Sequence, residues 1–252
     1  MPRALTAGGL VRAIILAAGQ GTRLGAVGER LPKCLAVVLG GKTLLERQLD
    51  VLRSCGIRDI CVVRGYRAEA IQEPGVTYVL NPRYAETGSL GSLACAAEQL
   101  EGDILVSYSD IWYEPAVVEP LIACAHELAI AVDPQWTDHY LGRTDHPIAE
   151  AEQVRFDLQG RAVRIGKIAA GTVEGNGEFI GLMKLSPAGC EMFRRSYHQA
   201  DRLDGASVAD LLQEMIDRGI PIHCEMIRGG WGEIDTAQDY RRAREQWHAL
   251  KR

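Results

Sequence analysis

The decisive stretch of this sequence is LAAGQGTRL, residues 16–24, which continues the short apolar run AII at residues 13–15. A short apolar run that ends in glycines is typical of a buried parallel strand followed by a turn. Gly19 and Gly21 allow the backbone to approach a ligand closely, and exposed backbone N–H groups in such a turn form a concavity that binds anions. The stretch therefore predicts a phosphate-binding loop at the carboxyl end of the first strand.

Two cations support this interpretation of the loop. Arg23 carries a guanidinium that can grip phosphate oxygens in a fork, and Lys33, which follows Pro32, adds a point charge. An ordinary glycine turn is the alternative, but it does not account for the cations. The spacing matches neither G-x-G-x-x-G nor G-x-x-x-x-G-K-[ST], so neither a dinucleotide-binding fold nor a P-loop NTPase is indicated. The predicted triphosphate-binding residues are Leu16, Ala17, Ala18, Gly19, Gly21, Thr22, Arg23 and Lys33.

The first half of the chain alternates predicted strands with predicted helices. Apolar runs predict strands at residues 13–16, 59–64, 76–80, 103–109 and 129–132, and helical spacing predicts helices at residues 43–55, 90–100 and 115–128. Strands separated by helices of this size imply βαβ units. The sequence therefore predicts an α/β fold with a Rossmann-like, mainly parallel sheet flanked by helices.

The pattern changes after residue 133. Residues 135–147 show no clean period, and the strands predicted at 152–157, 162–166 and 179–185 are joined by turns. We expect residues 134–185 to form an inserted mixed or antiparallel lobe at the edge of the sheet. Helices at 187–199, 206–218 and 236–250 and a strand at 222–227 complete a single domain over residues 12–252, after a flexible lead-in over residues 1–11.

Composition narrows the classes of function. The chain has 252 residues, of which 47% are hydrophobic, and a formal net charge of -5. This charge provides no basic field for a nucleic-acid backbone, and no apolar run is long enough to cross a bilayer. We therefore expect neither a nucleic-acid partner nor a membrane partner, and we expect a cytoplasmic location.

Cysteine and histidine usage predicts no metal site of its own. The seven cysteines are scattered without a C-x-x-C pair, which suggests neither a zinc site nor a disulfide framework. The six histidines show no spacing typical of metal ligands. We therefore expect the histidines to be structural or to lie at the surface.

Several motifs together resemble the sugar-1-phosphate and phosphocholine nucleotidyltransferase superfamily. They are LAAGQGTRL at 16–24, PKCL at 32–35, VRGY at 63–66, NPRY at 81–84 and EID at 233–235. The segments GEFIGL at 177–182 and WGEIDTAQDY at 231–240 are similar to the cytidylyltransferases that act on phosphocholine or aminoethylphosphonate. The resemblance implies a nucleotidyltransferase fold and an enzyme that moves CMP from CTP onto a small phosphate- or phosphonate-bearing acceptor, with release of pyrophosphate.

Two carboxylates are candidates for a metal site. Asp110 ends the strand DILVSYS, at the sheet edge where ligands bind in open α/β folds, and Asp235 follows the segment WGEI. Aspartate also fills helix caps and turns, so each residue alone has a structural alternative. The resemblance implies that both hold Mg²⁺, which favours one or two carboxylates with phosphate oxygens, and that Arg23 and Lys33 are catalytic with them. The strand end SYSD has one carboxylate where the family commonly has a pair.

The resemblance also implies where the nucleotide base and the acceptor bind. It places near the nucleotide the residues Gly65, Tyr66, Thr87, Gly88, Ser89 and Ser92. Related phosphocholine enzymes look more like TNNIYSL where this chain has TGSLGSL at 87–93. Phosphocholine, 2-aminoethylphosphonate and hydroxyalkylphosphonates therefore all stay open as acceptors.

Residues of the inserted lobe and nearby aromatic side chains are candidates for contacts with the acceptor. An aromatic cage would suit an amine or a quaternary ammonium group, a glutamate would suit an amine, and a cation would suit the acceptor phosphate or the transition state. Packing and a solvated charged edge are the alternatives. The candidates are Ser109, Trp112, Asp133, Trp136, Tyr140, Arg143, Glu152, Lys167, Glu178, Lys184 and Trp231.

Two other functions are compatible with the loop. A sugar-1-phosphate nucleotidyltransferase that uses UTP, dTTP or GTP would share it, although the EID ending favours the CTP branch. A non-catalytic nucleotide-binding regulatory protein is expected to lack some of the four catalytic candidates, and all four are present: Arg23, Lys33, Asp110 and Asp235. The sequence leaves the oligomeric state open, including a homodimer.

Overall fold

A computed structural model describes residues 11–167, 176–200 and 204–250. Nearly all of the expected lead-in, residues 1–10, lies outside the described residues. The described strands are β1 Arg12–Ala17, β2 Asp59–Arg64, β3 Thr77–Leu80, β4 Ile104–Tyr108, β5 Ile111–Tyr113, β6 Leu128–Asp133, β7 Gln153–Phe156, β8 Ala162–Gly166, β9 Gly177–Leu185, β10 His223–Met226 and β11 Trp231–Glu233. The described helices are α1 Ala26–Arg30, α2 Leu44–Ser54, α3 Ser89–Cys95, α4 Pro115–Ala123, α5 Pro187–Gln199, α6 Val208–Asp217 and α7 Ala237–Leu250.

Nine of the strands form one mixed sheet, whose main path runs in the order β10-β6-β9-β4-β1-β2-β3. β1 is parallel to both β2 and β4, β2 is parallel to β3, and β6 is parallel to β10. One apolar cluster packs one face of the sheet against α3, α5 and α6, and a second packs the other face against α2 and α4. The predicted α/β fold with a largely parallel sheet and flanking helices is confirmed.

β9 lies in a different place from the one that the sequence pattern predicts. The inserted lobe was expected at the sheet edge, but β9 lies between β4 and β6 and is antiparallel to both. All nine of its residues are buried, which suits an interior strand because both of its faces are covered. The expected edge position is therefore wrong for β9, while β7 and β8 do branch from it as an antiparallel hairpin.

β5 and β11 form a separate antiparallel ribbon that the sequence pattern does not predict. Its register pairs Ile111 with Glu233 and Tyr113 with Trp231. Beyond it, the backbone N–H of Ile234 donates to the carbonyl oxygen of Asp110 at 2.9 Å. The ribbon therefore ties the carboxyl end of β4 to the segment before α7, which are more than a hundred residues apart in sequence.

The sequence pattern does not predict the short helix α1, and the other helices agree with the predicted pattern except at their ends. Thr43 caps α2 in a reciprocal capping box with Glu46. α3 and α4 are shorter than predicted, since a separate 3-10 turn at Ala97–Gln99 follows α3 and the backbone turns extended at Cys124 after α4. Among the described residues, no helix is both long enough and apolar enough to cross a membrane.

Candidate active site

The glycine-rich loop leaves the carboxyl end of β1 and packs against Lys33. Gly21 has a φ of 66°, a left-handed conformation that glycine adopts without strain. A Cβ atom at this position would lie 2.9 Å from Cβ of Lys33. Glycine at this position therefore lets the loop and the lysine share one site.

A pocket of about 340 Å³ opens beside the loop. We call it the first pocket; its walls come from the ends of β1 and β4, the turn before α3 and the segment before α7. It is lined by Leu16, Ala18, Gly19, Gly21, Thr22, Arg23, Lys33, Tyr84, Thr87, Gly88, Ser89, Ser92, Tyr108, Ser109, Asp110 and Asp235. The structure thus brings the predicted loop, the turn at 87–92 and both predicted metal carboxylates around one space.

Lys33 bridges the two predicted metal carboxylates. Its ammonium donates to Oδ2 of Asp110 at 2.9 Å and to Oδ1 of Asp235. The guanidinium of Arg23 donates to Oδ2 of Asp235 at 2.6 Å. Two cations and two carboxylates from distant parts of the chain therefore form one charged cluster that lines the first pocket.

These charges shift one another's pKa values. Burial alone would lower the pKa of Lys33, but the carboxylates of Asp110, Asp235 and Glu233 outweigh it and raise that pKa. Burial would raise the pKa of Asp235, but Lys33 and Arg23 outweigh it and lower that pKa. Burial next to Asp235 and Asp110 raises the pKa of Glu233 to about 7. Lys33 is therefore charged and Asp235 ionised at neutral pH.

The local structure before α7 explains why Asp235 faces the pocket. The backbone N–H of Thr236 donates to Oδ2 of Asp239 at 2.9 Å, and the N–H of Asp239 donates to Oγ1 of Thr236 at 3.2 Å. These reciprocal bonds are those of a helix-capping box. The helix-cap role that was the alternative for Asp235 therefore falls to Thr236 and Asp239, and the carboxylate of Asp235 meets Lys33 and Arg23 instead.

The donor set around Asp110 and Asp235 fits a divalent cation. Oδ1 of Asp110 is buried and has no hydrogen-bond partner among the described residues. His146, Glu233 and Asp235 each offer a ligand atom, and these atoms all lie within 4.8 Å of one another. Carboxylate oxygens are the ligands that hard divalent cations prefer. These residues could therefore hold a divalent cation if the ammonium of Lys33 gave up some of its contacts with Asp110 and Asp235.

Asn81 organises the turn before α3. Its amide nitrogen donates to Oγ1 of Thr87 at 2.9 Å and to Oγ of Ser92 at 3.1 Å. Gly88 packs closely against the segment before α6, because a Cβ atom there would lie 2.2 Å from the carbonyl oxygen of Ala206. The turn predicted to lie near the base is thus fixed from two sides.

A second pocket of about 140 Å³ adjoins the first and shares with it Arg23, Tyr108, Asp110 and Asp235. Most of its other walls come from the inserted lobe, β9 and β11. It is also lined by Ile111, Tyr140, Glu150, Glu152, Lys167, Glu178, Phe179, Ile180, Gly181, Trp231 and Glu233. Because the two pockets share the charged cluster, a molecule in one would lie next to a molecule in the other.

Two carboxyl groups in the second pocket have unpaired oxygens. Oε2 of Glu152 and Oε2 of Glu178 are buried, and neither has a hydrogen-bond partner among the residues that the structure describes. Burial, aided by the charges of Glu233 and Asp110, raises the pKa of Glu152 to about 8. Burial also raises the pKa of Glu178, whose Oε1 accepts a hydrogen bond from Tyr140 at 2.5 Å. A cationic ligand would stabilise the ionised form of both carboxyl groups.

Asp133 supports the second pocket from behind its wall. The indole Nε1 of Trp231 donates to Oδ2 of Asp133 at 2.7 Å, and the backbone N–H of Gln135 donates to Oδ1 at 2.8 Å. Asp133 is fully buried and lines neither pocket. The prediction that Asp133 contacts the acceptor is therefore wrong, and the residue fixes the ring of Trp231 instead.

Lys184, which was predicted to contact the acceptor, lines neither pocket. Its ammonium donates to the carbonyl oxygen of Cys124 at 3.2 Å and pairs with Asp103 at 3.3 Å. Asp103 precedes β4, whereas Asp110 follows it. Lys184 therefore lies at the opposite end of the sheet, and its predicted role is wrong.

Three further candidates pack the structure rather than line the second pocket. Trp136 is 2% exposed and packs edge-to-face on Tyr140. Trp112 packs against the apolar cluster around Leu24 and Ile234. Arg143 donates to Oδ1 of Asp239 at 2.8 Å, with a side chain only 6% exposed. The predicted contacts of Trp136 and Arg143 with the acceptor are wrong, because both side chains are buried and already engaged. Trp112 is half-buried and lines neither pocket, so its predicted contact stays a prediction.

Most of the remaining predicted residues line one of the two pockets. Tyr140, Glu152, Lys167, Glu178 and Trp231 line the second pocket, and Ser109 lines the first. Three predicted nucleotide residues line neither pocket: Ala17, Gly65 and Tyr66. Ala17 is the last residue of β1, and the backbone N–H of Tyr66 donates to the carbonyl oxygen of Ala18 at 2.9 Å.

Sequence reasoning missed several residues of the site. Tyr84 and Tyr108 line the first pocket. Tyr84 is the last residue of the NPRY motif and Tyr108 lies two residues before Asp110, so these positions could have identified them. Nδ1 of His146 lies 3.4 Å from Oδ2 of Asp235, although the histidines were expected to be structural or superficial. His146 comes from a stretch without periodicity, so no signal in the sequence points to it.

A family model described as the MobA-like NTP transferase domain matches residues 13–170. The chain belongs to this family. It is therefore a nucleotidyltransferase, and members of the family typically use divalent metal ions. The superfamily and enzyme class inferred from the loop are confirmed.

Proteins similar over most of their length include two named as cytidylyltransferases. CTP:phosphoglutamine cytidylyltransferase of Campylobacter jejuni is 29% identical over 248 residues, which cover 91% of this chain and 97% of that protein. 2-Aminoethylphosphonate cytidylyltransferase of Lancefieldella rimae is 27% identical over 206 residues, which cover 77% of this chain and 74% of that protein. The inositol-1-phosphate CTP transferase from T. maritima has a similar structure, with a TM-score of 0.75 at 22% identity over 97% of this chain and 98% of that one. The resemblance to the cytidylyltransferase branch is thus confirmed in sequence.

Proposed function

We propose that this nucleotidyltransferase moves CMP from CTP onto a small phosphate- or phosphonate-bearing acceptor that carries a cationic amine. The observation that carries this proposal is the pair of adjoining pockets that share Arg23, Asp110 and Asp235. The first offers the backbone and cations that a triphosphate needs, and the second offers carboxyl groups and aromatic rings that suit a cation. The cytidylyltransferases among the relatives support CTP as the nucleotide.

The proposed reaction is a direct in-line transfer. An oxygen of the acceptor phosphate or phosphonate attacks the α-phosphorus of CTP, and a new P–O bond forms. The bond from that phosphorus to the oxygen that bridges to the β-phosphorus breaks, and pyrophosphate leaves with this oxygen. Because the attacking oxygen is already anionic, no side chain has to remove a proton, and catalysis is mainly positioning and charge neutralisation.

Arg23 and Lys33 neutralise the triphosphate and the leaving pyrophosphate in this proposal. Asp110 and Asp235 would hold Mg²⁺, which supplies further positive charge to the phosphates. Lys33 contacts both carboxylates in the structure. A shift of its flexible side chain toward the phosphates would free carboxylate oxygens for the ion, so the lysine and the ion act in the same reaction.

The second pocket supports a cationic acceptor. The unpaired oxygens of Glu152 and Glu178 can accept hydrogen bonds from an ammonium group or neutralise a quaternary one. The ring of Trp231, held by Asp133, adds a surface for cation–π attraction. Arg23 lines both pockets and could also bind the acceptor phosphate.

A matrix of pyrophosphate release tests the proposal. CTP, UTP, GTP and dTTP are each combined with phosphocholine, phosphoethanolamine, 2-aminoethylphosphonate, 2-hydroxyethylphosphonate and glucose 1-phosphate. We expect CTP with an amine-bearing acceptor to give the highest kcat/KM. 2-Hydroxyethylphosphonate carries a neutral hydroxyl group in place of the ammonium group of 2-aminoethylphosphonate. Its kcat/KM should be at least about tenfold lower, because the hydroxyl group offers the carboxylates no charged partner.

The same matrix separates the proposal from its rivals. Faster release from UTP, GTP or dTTP with glucose 1-phosphate would favour a sugar-1-phosphate nucleotidyltransferase. CTP binding without release on any acceptor would contradict the proposed transfer and favour a regulatory protein. A hydroxyl analogue as good as the amine would leave CTP transfer intact but would contradict the cationic acceptor.

A further inference from the structure

Four residues with metal-binding side chains gather at the end of the sheet opposite the candidate active site. Cys124 follows α4, His126 precedes β6, and His223 and Glu225 lie two residues apart on β10. The potential ligand atoms of Cys124, His223 and Glu225 all lie within 4.8 Å of one another. The ring of His126 stacks on that of His223 with centroids 4.0 Å apart.

The sheet topology makes this cluster. β6 and β10 are parallel, and His223 is paired with Ala129 near the start of β6. Side chains that are two residues apart on a strand point to the same face. His223 and Glu225 therefore both approach the end of α4. The spacing of cysteines and histidines in the sequence does not indicate this cluster, because its residues come from two distant segments of the chain.

We propose that Cys124, His223 and Glu225 form a zinc-binding site. Thiolate, imidazole and carboxylate are the three ligand types that Zn²⁺ takes in proteins, in a four-coordinate arrangement. The fourth position falls to His126 after rotation of its ring, or to water. Bound zinc would tie the connection between α4 and β6 to β10, which is the last strand on its side of the sheet.

The ligand atoms lie close enough together to share one ion, which would replace the side-chain hydrogen bond between Cys124 and Glu225. Nε2 of His223 lies 3.8 Å from Oε2 of Glu225, which is too long for a hydrogen bond between them. Cys124, His223 and Glu225 are all half-buried, so an ion can reach them from solvent without unfolding. The ammonium of Lys184 is turned to the carbonyl oxygens of Cys124 and His126 at 3.2 and 3.4 Å, and Asp103 balances its charge.

Protonation in the cluster is compatible with metal binding. Burial, together with the neighbouring His126, lowers the pKa of His223, so its imidazole is neutral and has a lone pair for the ion. Burial raises the pKa of the Cys124 thiol. The S–H bond must therefore break as the S–Zn bond forms, and the thiol proton passes to solvent.

Titration of the purified full-length chain with Co²⁺, a spectroscopic substitute for Zn²⁺, tests the site. We expect one equivalent to produce a thiolate-to-cobalt charge-transfer band in the near ultraviolet, and added Zn²⁺ to remove it. Cys124→Ser should lose the band, and His223→Gln should bind Co²⁺ at least about tenfold more weakly. Cys95→Ser is the matched control, because Cys95 is an exposed free cysteine outside the cluster.

Two further measurements keep the test decisive. Zn²⁺ should raise the Tm of the wild type and of Cys95→Ser but not that of Cys124→Ser. Unchanged pyrophosphate release by Cys124→Ser would show that the variant is folded. The proposal would be overturned if the wild-type protein showed no thiolate-to-cobalt band, even if it bound Zn²⁺ at the carboxylates of the candidate active site. A band that persists in Cys124→Ser would also overturn it.

Discussion

The two pockets of the candidate active site are built in different ways. Six of the residues that line the first pocket come from one contiguous loop, residues 16–23, and Lys33 follows ten residues after Arg23. The second collects Tyr140, Glu152, Glu178 and Trp231 from separate parts of the chain. A contiguous motif can bind a group as uniform as a phosphate chain, whereas the recognition of a particular acceptor depends on residues that only the tertiary structure assembles.

The pockets also differ in charge. The first pocket has as many cations as carboxylates: Arg23, Lys33, Asp110 and Asp235. The second pocket shares Arg23, Asp110 and Asp235, and it adds one lysine and four further carboxyl groups: Lys167, Glu150, Glu152, Glu178 and Glu233. The shared cluster of Asp110 and Asp235 lies where the two meet. If this comparison is right, substitutions in the first pocket reduce turnover with every acceptor, and substitutions in the second discriminate among acceptors.

The largest effect is expected from Lys33→Ala. Removing the ammonium takes away a charge that neutralises the triphosphate and leaves the carboxylates of Asp110 and Asp235 without their bridge. We expect kcat/KM to fall about 10²- to 10³-fold with every acceptor tested. Pyrophosphate release at saturating Mg²⁺ measures this effect.

Lys42→Ala is the control for Lys33→Ala. Lys42 is exposed and pairs with the exposed Asp50, and such surface pairs contribute little. It should therefore keep wild-type kcat/KM. A Lys33→Ala variant that loses activity with one acceptor and keeps it with another would break the proposed division between the pockets.

A smaller and more selective effect is expected from Glu152→Gln. The substitution removes the carboxylate charge but preserves the shape of the side chain. At pH 9 we expect the KM for phosphocholine to rise about 10- to 100-fold, because a partly buried charge pair is lost. The KM for CTP should stay within about twofold of the wild-type value, since Glu152 does not line the first pocket. Steady-state kinetics with each substrate varied in turn separates the two constants.

Glu191→Gln is the control for this substitution. Glu191 lies on α5 and pairs with Arg195 on the helix surface, so neither KM should change. Equal increases in both KM values for Glu152→Gln would indicate a general disturbance of the site and would contradict a selective acceptor role.

The same contrast explains what the sequence could and could not predict. Periodicity predicted the strands and helices of the βαβ half, and the loop with Lys33 predicted the first pocket, because these features depend on neighbours in the chain. The interior position of β9 could not be predicted, since a buried apolar strand does not specify its partners. The β5–β11 ribbon has three residues on each side, too few for a periodic pattern.

The errors among the acceptor candidates have a related cause. Trp136 and Trp231 are the same residue type, but only the second lines a pocket, because Trp136 packs inside the inserted lobe. Lys184 and Glu178 lie on the same strand, β9, near its opposite ends. Residue type can indicate which ligand a side chain suits, whereas the position of each side chain depends on strand order and direction.

The smallest expected effect is a pH dependence of the KM for the acceptor. The KM for CTP should not share it, which would distinguish the second pocket from the first. The pKa of Glu152 is raised to about 8, so its carboxyl is neutral below that pH and becomes the carboxylate as the pH rises through it. A carboxyl group is about 10% ionised one unit below its pKa and about 90% ionised one unit above it. The KM for phosphocholine, whose quaternary ammonium does not titrate, should therefore fall several-fold, at most about tenfold, between pH 7 and pH 9. Glu152→Gln should abolish this dependence, and a wild-type KM that rises or stays constant over this range would show that the carboxylate of Glu152 does not bind the acceptor cation.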